Sequence, residues 1–163
     1  MFSDNDYRYL RDDETHYKLD FRMVLTGVGG IDMGFWGDSM NGLKEGARTF
    51  LGDFITVANN LGFDCEDDPN RYDWKPGKRV DLTLSDGNAL MDAKAHKNGN
   101  LHIRVAKNVL LAINVQAGKL LGWIHSPEQA IKELGVSKSD ENVVRKAFAM
   151  TNQITASQLM LTA

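Results

Sequence analysis

The chain has 163 residues, of which 42% are hydrophobic and 25% are charged, and its formal net charge is −3 at pH 7. This length favours a single domain over residues 1–163, and the one cysteine excludes both a disulfide framework and a cysteine-based zinc site. No apolar run approaches the roughly 20 residues of a membrane span, and the charged N-terminus is unlike a signal peptide, so we expect a cytoplasmic protein with no membrane partner.

The N-terminal part of the chain predicts two strands joined by a turn. Residues 1–17 are rich in acidic side chains and predict a loosely ordered start. Apolar and polar residues alternate over residues 19–28, which predicts a strand with one buried face. Glycines at 27–30 predict a turn, and residues 31–36 predict a returning strand. The buried face of the first strand would carry Leu19, Phe21, Met23 and Leu25.

A long amphipathic helix is predicted next. Ser39 is a typical N-cap residue, and Gly62, directly after Leu61, is a typical helix stop. Apolar residues recur between them at helical spacing, which indicates a core-facing stripe rather than a ligand site. This stripe consists of Leu43, Ala47, Phe50, Leu51, Phe54, Ala58 and Leu61. Residues 65–77 follow and predict a loop.

Residues 80–105 predict a three-stranded antiparallel meander with one apolar face and one polar face. Asp86 and Gly87 suit a two-residue type I′ turn, because both central positions of that turn need a positive φ. This turn would pair Leu84 with Ala89, and farther along the two strands it places apolar residues opposite each other.

The second turn of the meander decides which residues share the polar face. A two-residue loop of Asn98 and Gly99 would place polar residues opposite apolar ones. A three-residue loop over residues 97–99, with Gly99 in the left-handed region, keeps apolar residues opposite each other. Because a slip of one residue turns every side chain to the other face, burial selects the three-residue loop. The polar face then holds the opposed pairs Asp81–Asp92, Asp92–Arg104, Lys94–His102 and His96–Asn100.

Three helices are predicted after the meander. The first covers residues 107–121, and the second has Pro127 at its first position and ends at Gly135. The third begins at Ser139 or Asp140 and runs towards residue 150, which leaves residues 151–163 as an unassigned tail. The inward side of the first helix would carry Val109, Leu110, Ile113, Ala117 and Leu120. The element order β-β-α-β-β-β-α-α-α predicts an α+β domain: an antiparallel sheet with helices on one face and a C-terminal helical hairpin.

Charge is unevenly distributed along the chain. Residues 1–74 hold 7 Lys and Arg against 15 Asp and Glu, whereas residues 75–107 hold 7 against 3. The meander is therefore basic within an otherwise acidic chain. Nucleic-acid binding needs a local basic surface rather than a basic protein, so this pattern permits it. Ordinary solvated strand charge would give the same pattern.

Two carboxylates and a lysine of the polar face suggest an enzyme. Asp81 opposite Asp92, with Lys94 next on the same face, resembles the core of the PD-(D/E)xK nuclease superfamily. The resemblance implies that the carboxylates hold Mg²⁺ and that the lysine polarises water or the scissile phosphate. Glu45 or Asp53 of the long helix would supply a further carboxylate.

Two arginines offer a different explanation for the opposed carboxylates. Arg104 faces Asp92, and Arg79 lies on the same strand as Asp81. Either arginine can neutralise a neighbouring carboxylate without a metal ion. We expect neutralisation rather than metal binding, and therefore no catalytic residues and no cofactor.

Two weaker candidate sites lie elsewhere in the sequence. Residues 128–148 are similar to a DNA-reading helix-turn-helix, but the recognition helix would begin with acidic residues, which repel phosphate, so a helical hairpin covering the sheet is preferred. A zinc site of His96, His102 and Asp92 is the only metal arrangement that the histidines suggest.

The segments Lys97–His102, Val109–Leu111 and Gly122–Trp123, together with Asn114, resemble the domain-of-unknown-function family 4942. The hallmark of that family is an F-K-N-G-N-x-H hairpin that leads into a helix with an asparagine near its middle. Here His96 replaces the phenylalanine, and the similarity covers residues 94–123. The resemblance implies a phage, plasmid or bacterial setting, often with DNA adenine methyltransferases, and a link to DNA or RNA metabolism.

The sequence therefore predicts a small, non-enzymatic protein of phage or mobile-element origin that binds DNA or RNA in a bacterial cytoplasm. Phosphate contacts would come from Lys75, Lys78, Arg79, Lys94, Lys97 and Arg104, with hydrogen bonds from Asn100 and His102. Tyr72 and Trp74 would either stack on bases or fill the core. The alternatives are a Mg²⁺-dependent nuclease and a protein-binding module, for instance a host-defence inhibitor whose acidic residues 1–74 engage a phage or host protein.

Overall fold

The computed structural model describes residues 19–33 and 42–150 and confirms the α+β class. The elements are β1 (Arg22–Leu25), α1 (Glu45–Asn60), β2 (Arg79–Thr83), β3 (Ala89–Ala95), β4 (Leu101–Val105), α2 (Lys107–Leu120), α3 (Pro127–Glu133) and α4 (Glu141–Ala149). A short 3₁₀ turn, Pro69–Arg71, lies between α1 and β2. The predictions for residues 1–17 and 151–163 lie outside the described residues. No helix of the described part is long and apolar enough to cross a bilayer.

The four strands form one antiparallel sheet in the order β1-β4-β3-β2. β1 pairs with β4, and Met23 lies opposite Ile103. The predicted returning strand over residues 31–36 is wrong in its described part, because Ile31 makes only an isolated bridge to Leu43. Residues 34–36 lie outside the described residues. The sheet therefore gains its fourth strand through a long-range pairing of β1 rather than through a local hairpin.

The second hairpin of the meander is confirmed. Ala95 lies opposite Leu101, and the loop closes with hydrogen bonds of 2.9 Å from the His96 N–H to the Asn100 carbonyl and 3.2 Å from the Gly99 N–H to the His96 carbonyl. Gly99 has φ +88°. This is the left-handed position that a three-residue loop requires.

The first hairpin differs from its prediction. Asp86 does not adopt a positive φ, so the turn is not type I′, and Thr83 rather than Leu84 lies opposite Ala89. Leu82 lies opposite Met91 as predicted, because Leu90 is an extra residue in β3. The bulge has a clear physical benefit, since it lets the consecutive residues Leu90 and Met91 both be buried.

Helix α1 begins at Glu45 and not at Ser39, which lies outside the described residues. Lys44 is extended, and its N–H donates a hydrogen bond of 2.9 Å to the Gly30 carbonyl, so residues 43 and 44 pair with the 30–31 segment instead of entering the helix. Gly62 (φ +76°) ends the helix as predicted. The predicted stripe is buried except for Phe50, which is half-buried.

The main core lies between α1 and the apolar face of the sheet. Leu51 and Phe54 of α1 share this core with Val80, Ala93 and Ile103 of the strands. Val109 and Leu110 from the first turn of α2 complete it. Both helices therefore cover the same face. Phe21 was predicted to join this core but is 52% exposed.

The C-terminal hairpin of α3 and α4 packs on α2 rather than directly on the sheet. Ala112 and Val115 of α2 form a second core with Val144 and Ala147 of α4. This packing corrects the predicted inward side of α2. Ala117 and Leu120 are exposed, with Leu120 at 61%. Helix α3 begins as predicted, with Pro127 at its first position and the Ser126 hydroxyl accepting the Gln129 N–H at 3.1 Å.

Candidate nucleic-acid interface

Among the described residues, no helix covers the polar face of the sheet, because α1 and α2 both lie on the other side. Cross-strand pairing arranges its side chains in two parallel rows. The charged row runs across β1, β4, β3 and β2 as Arg22, Arg104, Asp92 and Asp81. The basic row runs in the same direction as Val24, His102, Lys94 and Arg79. Neighbouring strands are about 4.8 Å apart, so each row is a nearly continuous line of side chains.

An ion pair dominates the charged row. The Oδ2 atom of Asp92 lies 2.7 Å from Nε and 2.6 Å from Nη2 of Arg104. The Nε atom of Arg79 lies 3.7 Å from the other oxygen, Oδ1, of the same carboxylate. Hydrogen bonding to Asp92, aided by the charges of Asp92 and Asp81, raises the pKa of Arg104. Asp92 is thus neutralised by arginine, whereas Arg79 turns towards Asp92 and not towards Asp81.

In the basic row, only Arg79 has a carboxylate nearby, that of Asp92 at 3.7 Å. Lys94 lies directly opposite Arg79 on one side and His102 on the other, and it makes no ion pair with any described carboxylate. Like charges placed directly opposite each other on a sheet repel. Burial, followed by the nearby His96 and Lys94, lowers the pKa of His102. An anion above this row would relieve the repulsion.

Within the two described rows, cations exceed anions. Four cationic side chains, Arg22, Arg79, Lys94 and Arg104, stand against the two carboxylates of Asp81 and Asp92, which leaves a net charge of +2 without the histidines. The excess comes from Arg22 on β1 and from the basic row, because Arg104 is bound to Asp92.

The hairpin tip beyond the basic row is held mainly by backbone contacts. The Asn98 side chain accepts a hydrogen bond of 3.2 Å from the Asn100 N–H, and Lys97 is exposed. Gly29 and Gly30 pack against the inner side of the tip, where the Gly29 N–H donates to the Gly99 carbonyl at 3.2 Å. Lys97 is therefore exposed on the hairpin tip, at one end of the polar face.

The loop before β2 contributes less to the face than its composition suggests. Lys75 and Lys78 lie 3.0 Å and 4.0 Å from one carboxylate oxygen of Asp73, which offsets part of their charge. Trp74 is only 3% exposed, and its Nε1–H donates to the Pro69 carbonyl at 2.7 Å, so it is a core residue and does not stack on bases.

Tyr72 is held in the same loop. Its hydroxyl hydrogen-bonds the Asp67 carboxylate at 2.7 Å. Burial and that hydrogen bond raise the pKa of Tyr72 to about 12. The ring contacts Trp74 edge-on with centroids 6.5 Å apart. Tyr72 thus packs beside the core and supports the loop.

The residues considered for metal binding are not assembled into one site. Glu45 and Asp53 belong to α1, which covers the opposite face of the sheet from Asp81 and Asp92. In the described ranges, no group of three His, Cys, Asp or Glu side chains is arranged to hold an ion. His96 and His102 are close, with ring centroids 4.4 Å apart, but Asp92 is bound to Arg104.

Sequence reasoning missed the contribution of β1 to the face. Arg22 and Val24 lie opposite Arg104 and His102. The guanidinium of Arg22 lies 5.7 Å from the centroid of the exposed Phe21 ring. The alternation in β1 did indicate that Arg22 and Val24 point away from the core. What the sequence lacked was any sign that β1 pairs with β4.

Asn114, the mid-helix asparagine of the motif, has a structural partner. Its Oδ1 accepts the Leu19 N–H at 2.9 Å, and its Nδ2 donates to the Leu19 carbonyl at 3.2 Å. The side chain thus satisfies both backbone groups of the residue that leads into β1. It holds the edge strand of the sheet to α2.

Replacing Asn114 with alanine is expected to lower the free energy of unfolding by about 1–2 kcal/mol, because two part-buried backbone groups lose their partner. Urea unfolding followed by circular dichroism measures this change. Asn108→Ala is the matched control, since Asn108 is exposed on the same helix. An equal effect of the two substitutions would show that the pairing with Leu19 contributes nothing.

Comparisons of the chain with protein-family models, with curated proteins and with solved structures found no match.

Proposed function

We propose that the protein binds single-stranded nucleic acid on the open polar face of the sheet, mainly through phosphate groups. The observation that carries the proposal is the basic row, in which Arg79 and Lys94 lie directly opposite each other. The one carboxylate near this pair is Asp92, which lies 3.7 Å from Arg79 and is bound mainly by Arg104. Such an arrangement is unfavourable in the free protein and favourable once an anion binds. Lys97 at the hairpin tip and Arg22 on β1 extend the cationic surface in two directions.

The shape of the face favours a single strand. A four-stranded antiparallel sheet with one open face offers a flat platform, and known sheet platforms bind splayed, unpaired nucleotides. Aromatic side chains usually stack the bases on such platforms. Here Phe21, directly before β1, is an exposed aromatic whose ring centroid lies 5.7 Å from the Arg22 guanidinium, and no Phe, Tyr or Trp lies in either row. We therefore expect phosphate contacts to dominate and sequence preference to be weak.

The geometry supports binding more than cleavage. The opposed pair Asp81 and Asp92 suggested a metal-dependent nuclease, but Arg104 holds the Asp92 carboxylate at hydrogen-bonding distance. A cation at this position would have to displace that arginine. We propose a non-enzymatic accessory role, and from the Lys97–His102 motif an origin in a phage or mobile element.

The direct test is to purify the protein at low salt and measure its ratio of absorbance at 260 nm to that at 280 nm. We expect bound nucleic acid that a high-salt wash removes, because phosphate contacts release counterions. The stripped protein should then bind labelled oligothymidylate and oligouridylate, without Mg²⁺-dependent cleavage of either. Recovery of a stoichiometric protein partner with no affinity for nucleic acid would overturn the proposal in favour of a protein-binding module.

A further inference from the structure

The basic row contains one side chain whose charge can change close to neutral pH, His102. It is exposed on β4, directly opposite Lys94 on β3 and Val24 on β1. The His96 ring packs against it with centroids 4.4 Å apart. The site is therefore an imidazole beside a lysine that has no described carboxylate partner.

The electrostatic surroundings of His102 are positive. The neighbours of His102 on β3 are Lys94 and Asp92, and His96 follows β3 directly. Arg22 lies on β1, Arg104 lies on β4 itself, and Arg79 of β2 lies beyond Lys94. Asp92 is the one carboxylate among them, and Arg104 already binds it. Little in the free protein therefore favours a charged imidazole. In agreement, partial desolvation of the ring, followed by the charges of His96 and Lys94, lowers the pKa of His102 below its ordinary value.

We propose that a nucleic-acid phosphate binds between Lys94 and His102, and that its binding adds a proton to His102. The proposal rests on the proposed function and specifies its central contact. The proton comes from solution and binds the free ring nitrogen of the neutral imidazole, and no covalent bond to phosphate forms. The resulting imidazolium donates a charge-assisted hydrogen bond to a phosphate oxygen, while the Lys94 ammonium binds the same group.

Because binding takes up a proton, the affinity for nucleic acid should rise as pH falls. The pKa of His102 is below about 6.5 in the free protein and rises when an anion binds, because the anion favours the charged ring. The association constant therefore increases as pH falls through the pKa of the complex and levels off below the pKa of the free protein. Each unit by which binding raises the pKa increases the association constant up to tenfold.

The experiment measures fluorescence anisotropy of a labelled oligothymidylate of about 20 nucleotides, at constant ionic strength, from about pH 8 to about pH 5.5. Wild type is expected to bind about tenfold more tightly at the acid end. His102→Gln should lose most of that gain. His125→Gln should keep it, because His125 lies in the α2–α3 connection, away from the face. Proton NMR of the His102 ring, with and without oligonucleotide, should show the pKa rising on binding.

The outcomes separate this inference from the function on which it rests. If neither oligothymidylate nor oligouridylate binds at any pH, the proposed function fails and the inference fails with it. If both bind but His102→Gln retains the full pH dependence, or the pKa of His102 does not rise on binding, the inference alone is overturned. His96→Gln adds a second variant, for which the half-maximal gain in affinity should move to higher pH, since His96 lowers the pKa of His102.

Discussion

Gly30→Ala is expected to lower the free energy of unfolding by about 3 kcal/mol, a large loss for one added methyl group. A Cβ at this position would lie 2.2 Å from the His96 carbonyl oxygen and 3.1 Å from the Gly99 Cα. Both atoms belong to the backbone of the second hairpin, so no side-chain rotation relieves the clash. Relief requires the 29–31 segment to move away, which breaks the 3.3 Å hydrogen bond from the Ile31 N–H to the His96 carbonyl.

Gly27→Ala is the matched control for this prediction. Gly27 has φ +75°, compared with +51° for Gly30, but a Cβ there would meet nothing within 4 Å. The control therefore carries the backbone cost of a left-handed alanine, about 1–2 kcal/mol, without the clash. Urea unfolding gives the free energy of unfolding of each variant, and the difference between the two measures the cost of the clash at position 30. Equal losses of stability would show that the hairpin tip does not pack tightly on the 29–31 segment.

The second hairpin could be predicted because burial alone decides its register. Only one loop length keeps Ala95 and Leu101 on the same side, and Gly99 supplies the left-handed residue that this loop needs. The pairs Asp92–Arg104 and Lys94–His102 follow from that register without further information. Most of the candidate interface was therefore present in the local sequence pattern.

The first hairpin could not be predicted from the same pattern. Leu90 and Met91 are adjacent and both buried, which strict alternation forbids. A bulge resolves the conflict, but its presence depends on what packs over β3. The turn residues Asp86 and Gly87 were consistent with a tighter turn, so local turn chemistry favoured the wrong loop.

Contacts between distant parts of the chain could not be predicted from sequence periodicity. The pairing of β1 with β4 joins segments about 80 residues apart, and no local pattern specifies it. For the same reason Arg22 was not recognised as part of the face. The predicted inward side of α2 included Ala117 and Leu120, whereas α4 packs on a different side of that helix and buries Ala112 and Val115.

The double substitution Arg79→Ala and Lys94→Ala is expected to weaken single-stranded oligonucleotide binding by roughly 10- to 100-fold at about 50 mM salt. It removes the two cations of the basic row that lie directly opposite each other. Both are on the open face and outside the core. We therefore expect little change in stability, because the 3.7 Å contact of Arg79 with Asp92 is long and Arg104 continues to bind Asp92.

Lys132→Ala combined with Lys138→Ala is the matched control for the double substitution. Lys132 lies on α3 and Lys138 in the following connection, and both are exposed away from the sheet. The control removes the same total charge. It therefore separates the loss of two phosphate contacts from a general reduction in electrostatic attraction.

The salt dependence of single-strand affinity tests the central role of the basic row most directly. The logarithm of the association constant is plotted against the logarithm of salt concentration for wild type and both double variants. Each phosphate contact with a single strand contributes a slope of about −0.7, so the basic-row variant should lose about 1.4 from the magnitude of the wild-type slope. The Lys132 and Lys138 variant should keep the wild-type slope. Wild-type affinity that does not change with salt, or a basic-row variant with the wild-type affinity and slope, would contradict the account.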